Sequence, residues 1–124
     1  MTQLACRPID SPPPAADLAS IDRAHLSRMT LGDRSLEREV LQLFDRQAEM
    51  LMARMNQVVS SYVPPLAHTL KGSARGIGAW DVASAAEALE LADGSAIEFE
   101  AAKRRLTSAV EVARAAIARL LRAH

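Results

Sequence analysis

An apolar residue every three to four positions, sustained over roughly six turns of helix, constrains this chain more than any other feature. Projected at about 100° per residue, Leu36, Val40, Leu43, Phe44, Leu51, Met55 and Val58 fall on one side, while Arg38, Asp45, Glu49 and Arg54 mostly lie elsewhere. Asp33 is placed to cap the start, so a long helix is expected from there to about Val58. Met50, Met52 and Met55 read as core filler, the common use of methionine at helical spacing, rather than as a ligand groove.

The same period recurs along the chain, punctuated by strong start and stop signals. "LASIDRAHLSRM" predicts a short helix ending near Met29. In "SSYVPPLAHTL", Ser60 or Ser61 is placed to cap, and Pro64 and Pro65 suit a first turn where a missing N–H is no loss. That helix is expected to reach about Arg75 or Gly76 and to end at "GIG", because glycine takes the left-handed conformation readily. A further helix spans Asp81 to Ala92 with Val82, Ala85, Ala86 and Leu89 on one face. Gly94 stops it, and Ser95 with Glu98 forms a capping box that opens the last helix. This one runs to about Leu121 with Phe99, Leu106, Val110, Ala113, Ile117 and Leu121 inward. Four long helices with short connections predict an all-α fold, an antiparallel four-helix bundle with a short additional N-terminal helix. Residues 1–20, which include "RPIDSPPPAAD", read as a flexible Pro-rich leader, and residues 21–124 as the bundle domain.

Composition narrows the function. The 124 residues allow one core; aromatics are only 3%, so alanine and leucine must fill it, and both favour helix. A formal net charge of zero with interspersed signs gives no nucleic-acid footprint, and "KRR" at 103–105 reads as a solvated helix face. No apolar run approaches the roughly 20 residues of a membrane span, so a cytoplasmic protein without membrane contact is expected. Cys6 has no second cysteine to pair with, which agrees with a reducing compartment. His25 and His124 read as surface residues, offer no paired metal-ligand spacing, and suggest no metal site.

One stretch, "AHTLKGSARGIGA" at residues 67–79, looks chemical. With Leu66 at 0°, Val63, Leu70, Ser73 and Ile77 fall within about 60° and form the expected buried stripe. His68 falls at about 200°, Lys71 at about 140°, Gly72 at about 240° and Arg75 at about 180°, which places all four on the solvent side. Gly72, four residues after His68, sits where a side chain would lie against the imidazole, although glycine there costs about 1 kcal/mol relative to alanine. The expected return is an unobstructed ring flanked by two cations, an arrangement suited to a phosphoryl group. Ser73 and Ala74 are small enough to admit a neighbouring helix.

The stretch resembles the motif of histidine-containing phosphotransfer (HPt) domains. Ala67, His68, Leu70, Lys71, Gly72, Ser73, Ala74, Ile77, Gly78 and Ala79 match, with Val82, Leu89 and Glu90 downstream, and the likeness extends over about residues 21–121. Ala88, where many relatives carry cysteine, and the Pro64-Pro65 pair depart from it. The resemblance implies a phosphorelay carrier rather than an enzyme. His68 would accept a phosphoryl group on its outer ring nitrogen from a receiver-domain aspartyl phosphate of a hybrid sensor kinase and pass it to the aspartate of a response regulator. An exposed imidazole is largely neutral, and so nucleophilic, at pH 7. Lys71 would neutralise the phosphoryl group and Gly72 keep clearance, with Ala67, Arg75 and the Asp33 helix in the partner-binding patch. No cofactor of its own is expected, with magnesium supplied on the receiver, and a monomer suits successive partners. The alternative is a helical adaptor or decoy that binds receivers without carrying phosphate. Trp80 reads as packing at the bundle end.

Overall fold

A computed structural model describes residues 20–92 and 95–123, so the Pro-rich leader with Cys6, Gly94 and His124 lie outside the described residues. Five helices follow in order: α1 (Arg23–Met29), α2 (Arg34–Met55), α3 (Val63–Ile77), α4 (Trp80–Leu91) and α5 (Ala96–Ala123), with a 3-10 turn at Ser60–Tyr62 ahead of α3. No strand occurs among the described residues. α2 packs on α3 and α5, and α4 packs on the same two helices, which closes a ring of four. With short connections between neighbours, this is the expected all-α antiparallel bundle, and α1 docks on α3.

The punctuation works much as read. The Asp33 carboxylate accepts from the N–H of Leu36 at 3.0 Å, and Ser95 Oγ accepts from the N–H of Glu98 at 3.2 Å. Both satisfy donors that a helix start leaves unpaired. Ser60 and Ser61 do not cap α3; they form the 3-10 turn, and Pro64 and Pro65 take the first helical positions without shortening the helix, which starts at Val63. Gly78 ends α3 with φ +80°, and a Cβ there would stand 2.8 Å from Asp22 Cβ. Glycine is thus required twice over, by backbone conformation and by the chain that crosses it.

That crossing chain ties α1 to the α3–α4 turn. The N–H of Asp22 donates to the Gly78 carbonyl at 2.9 Å. Its carboxylate caps α1 at His25 N and accepts from Trp80 Nε1 at 2.9 Å. Trp80 packs at the bundle end as expected, with the His25 ring edge-on at a centroid distance of 4.9 Å. His25 is therefore a half-buried packing residue and not a surface one. Ser20, assigned to the leader, is buried with Ile21 beside it.

Two apolar stripes need correction. α2 buries Leu41, Phe44, Ala48, Leu51 and Met55, whereas Leu36 and Leu43 are exposed and Val40 is half-buried. The helix carries apolar residues over a wide arc, and the core takes the part of it that includes Ala48. α3 likewise buries Val63, Ala67, Leu70, Ala74 and Ile77, with Leu66 and Ser73 on the flank. Its stripe is centred about 60° from Leu66, because two alanines admit the neighbouring helices more closely than leucine or serine would. Leu106, Val110, Ala113 and Ile117 of α5 are buried as expected, with Phe99 and Leu121 partly so.

Candidate functional site

The rotation of α3 sorts the expected site residues. His68 keeps its solvent position, its side chain 64% exposed, while Lys71 moves to the boundary with α4 and is 12% exposed. Gly72 and Arg75 are exposed. Ala67, expected in the partner-binding patch, is 0% exposed, so its side chain belongs to the core and cannot meet a partner. His68, Lys71, Gly72 and Arg75 thus share one side of α3, and Ala67 does not.

α4 supplies what the sequence reading left without a role. It is alanine-rich, burying Val82, Ala83, Ala85, Ala86 and Leu89, and so lies close against α3. This brings Glu90 beneath the site. Glu90 Oε2 is 2.7 Å from His68 Nδ1, and Oε1, which is buried, is compensated by the Lys71 ammonium at 2.8 Å. The Lys71 ammonium first, and then the imidazole, hold the Glu90 carboxyl below its ordinary range against the opposing effect of burial. An ionised carboxylate can only accept, so Nδ1 carries the hydrogen and donates. In the neutral ring a proton on Nδ1 leaves Nε2 with the lone pair, on the far side of the ring from Glu90. One turn on, Arg75 lies 3.8 Å from Glu87, a loose pair on an open surface.

The arrangement is an oriented, largely exposed imidazole with the Lys71 ammonium paired to the same carboxylate. Its acid was partly legible. Lys71 and Arg75 are spaced i, i+4 on α3, and Glu87 and Glu90 i, i+3 on α4, a register that antiparallel neighbours can match. Gly72 is freer than expected, since a Cβ there would meet nothing within 4 Å. A methyl group would not touch the imidazole, and the clearance concerns longer side chains.

Outside this site, Arg114 of α5 pairs with Asp45 of α2, Nε to Oδ1 at 2.7 Å, and reaches Glu49 at 3.6 Å. Among the described residues no group of three or more acidic, histidine or cysteine side chains is arranged to hold a metal ion, and no helix is long and apolar enough to cross a membrane. Neither the curated proteins nor the solved structures include a match to this chain. The family model of the Hpt domain matches residues 39–121, about two thirds of the chain, from the first turns of α2 into the end of α5. With its helical bundle and its histidine site inside that span, the chain belongs to the Hpt domain family, phosphocarrier modules that work with receiver domains in two-component phosphorelays.

Proposed function

We propose that this chain carries a phosphoryl group on His68 Nε2, taken from the aspartyl phosphate of a hybrid kinase's receiver and delivered to the aspartate of a response regulator. The observation that carries this reading is the 2.7 Å contact between Nδ1 and Glu90 beneath a largely exposed ring. In the forward step the acyl phosphate P–O bond breaks, the Nε2–P bond forms, and the receiver carboxylate leaves as an anion. The ring keeps its Nδ1 proton and gains positive charge, which the Glu90 carboxylate offsets. No proton has to leave before the phosphoryl group moves on, because the return step discharges the same nitrogen onto the next aspartate. Lys71, three residues on from His68 and paired with Glu90 at 2.8 Å, would share its charge between that carboxylate and the new phosphoryl oxygens. Magnesium belongs to the receiver in this reading, and the chain itself acts as a carrier with no ATP chemistry.

The docking face is supported by packing. α5 takes the flank of α2 that carries Asp45 and Glu49, so the other flank, with Val40, Leu43 and Met50, borders α3. Leu43 and Met50 are exposed beside α3's smooth outer side of Thr69, Gly72 and Gly76. An apolar line next to an uncluttered helix face suits a partner that must bring an aspartyl phosphate to within bonding distance of His68. Arg75 lies at the rim of that patch.

The test is transfer from a phosphorylated receiver domain to the wild-type chain and to His68→Gln. Uptake by the wild type and none by the variant is expected. Binding of receivers with no uptake by either would instead make the chain an adaptor that carries no phosphate.

A further inference from the structure

The turn between α1 and α2, "MTLGD", holds an oddity that neither fold nor chemistry uses. α1 ends in a Schellman motif: Gly32 N–H donates to Ser27 O at 2.8 Å and Leu31 N–H to Arg28 O at 3.3 Å. The residue that takes the left-handed conformation at such an end is usually glycine or asparagine; here it is Leu31, with φ +56°. It is the sole positive-φ residue other than glycine among the described residues. A leucine tolerated there for packing would be covered, yet Leu31 is 93% exposed. The turn itself is firm. Thr30 is buried with its hydroxyl donating to Leu26 O at 2.9 Å, and Asp33 N–H donates to Thr30 O at 3.0 Å.

A rigid turn therefore presents an unburied leucine at the expense of backbone strain. Met29 and Leu36 on either side are also exposed. This cluster stands at the head of α2, the helix whose exposed apolar residues, Leu36, Leu43 and Met50, lead toward the level of His68. Leu36 and Met50 are fourteen positions apart, about 21 Å along the helix.

We propose that Leu31 is a docking anchor for the receiver domain, set at the far end of an apolar line that continues from the His68 face. The proposal rests on the phosphorelay reading and adds to it that recognition is gripped far from the transferred group. Partner choice then depends on a turn that takes no part in the chemistry. The occupant is the receiver rather than an unrelated protein because Leu36, Leu43 and Met50, spaced seven apart, share one flank of α2 between this turn and the face at which a receiver must arrive.

Leu31→Gly separates strain from contact. It relieves the left-handed leucine and removes its side chain, so the unfolding midpoint should rise by a few degrees while kcat/KM for transfer from a phosphorylated receiver falls roughly tenfold, through KM. The probe is the receiver that phosphorylates the wild-type chain fastest. Phosphoramidate, a small donor that needs no docking, should label the variant at the wild-type rate, and Leu31→Met should restore receiver transfer. Unchanged receiver transfer in Leu31→Gly overturns the anchor alone. A lowered midpoint also overturns it, because Leu31 would then be a structural residue. A wild-type chain that phosphoramidate labels but no receiver does would sink the phosphorelay reading, and the anchor with it.

Discussion

Two clusters of charge tie neighbouring helices together, and their close contacts are alike. Arg114 meets Asp45 at 2.7 Å between α5 and α2; His68 meets Glu90 at 2.7 Å between α3 and α4. In the first, the guanidinium engages Asp45 through two nitrogens and also reaches Glu49, and Asp45 holds its proton affinity above the ordinary value. Two of the three guanidinium nitrogens are thus engaged by carboxylates. In the second, the carboxylate serves both a lysine and one nitrogen of a ring that is 64% exposed. The difference is what each cluster leaves unused. A pair that satisfies itself stabilises a bundle, whereas one that fixes a tautomer and exposes the second nitrogen prepares a reaction.

Substitutions can break the comparison. The largest effect is expected for Glu90→Gln, which keeps the shape but loses the charge that opposes the phosphorylated ring and pairs Lys71. Transfer to His68 should slow about 10- to 100-fold, as for other losses of a group that orients a reactive ring, with the fold intact by circular dichroism. Asp45→Asn should do the reverse: stability in urea falls by about 1 kcal/mol, and transfer stays within about twofold. If Asp45→Asn slowed transfer as much as Glu90→Gln, the division between the clusters would be false. Gly72→Ala has the smallest effect and sharpens the picture of the open face. Because a methyl there meets nothing, the helix should gain up to about 1 kcal/mol with transfer nearly unchanged. A bulky residue, such as Gly72→Phe, should gain less and slow transfer markedly.

How far the sequence revealed all this depends on the range of the signal. Asp33, Ser95 and Gly78 act within a turn of themselves, and all were legible. The exposure of His68 was legible too, because projection of one helix suffices for a residue far from the core stripe. Lys71 was not, since a stripe drawn through Leu66 misplaces a boundary residue, and only the packed alanines Ala67 and Ala74 show where the centre lies. Ala67 suffered most: beside the histidine in sequence, it lies about 100° around the helix from it and faces the core. In α2 an apolar arc wider than the core could cover left open which leucines would be buried, and Leu36 and Leu43 proved to be exposed. Of the contacts that span 22 and 58 positions, Glu90 to His68 left only the matching charge spacings of α3 and α4, and Asp22 to Trp80 left no local signal at all.

In the proposed mechanism Glu90 holds the proton on Nδ1 of His68 and so makes Nε2 the atom that takes phosphate. Nitrogen-15 and phosphorus-31 NMR of the His68 ring, before and after incubation with a phosphorylated receiver, tests it directly. An Nδ1–H tautomer is expected in the free protein and a single N–P bond at Nε2 afterwards. A phosphoryl group on Nδ1, or a free ring protonated at Nε2 alone, would contradict it.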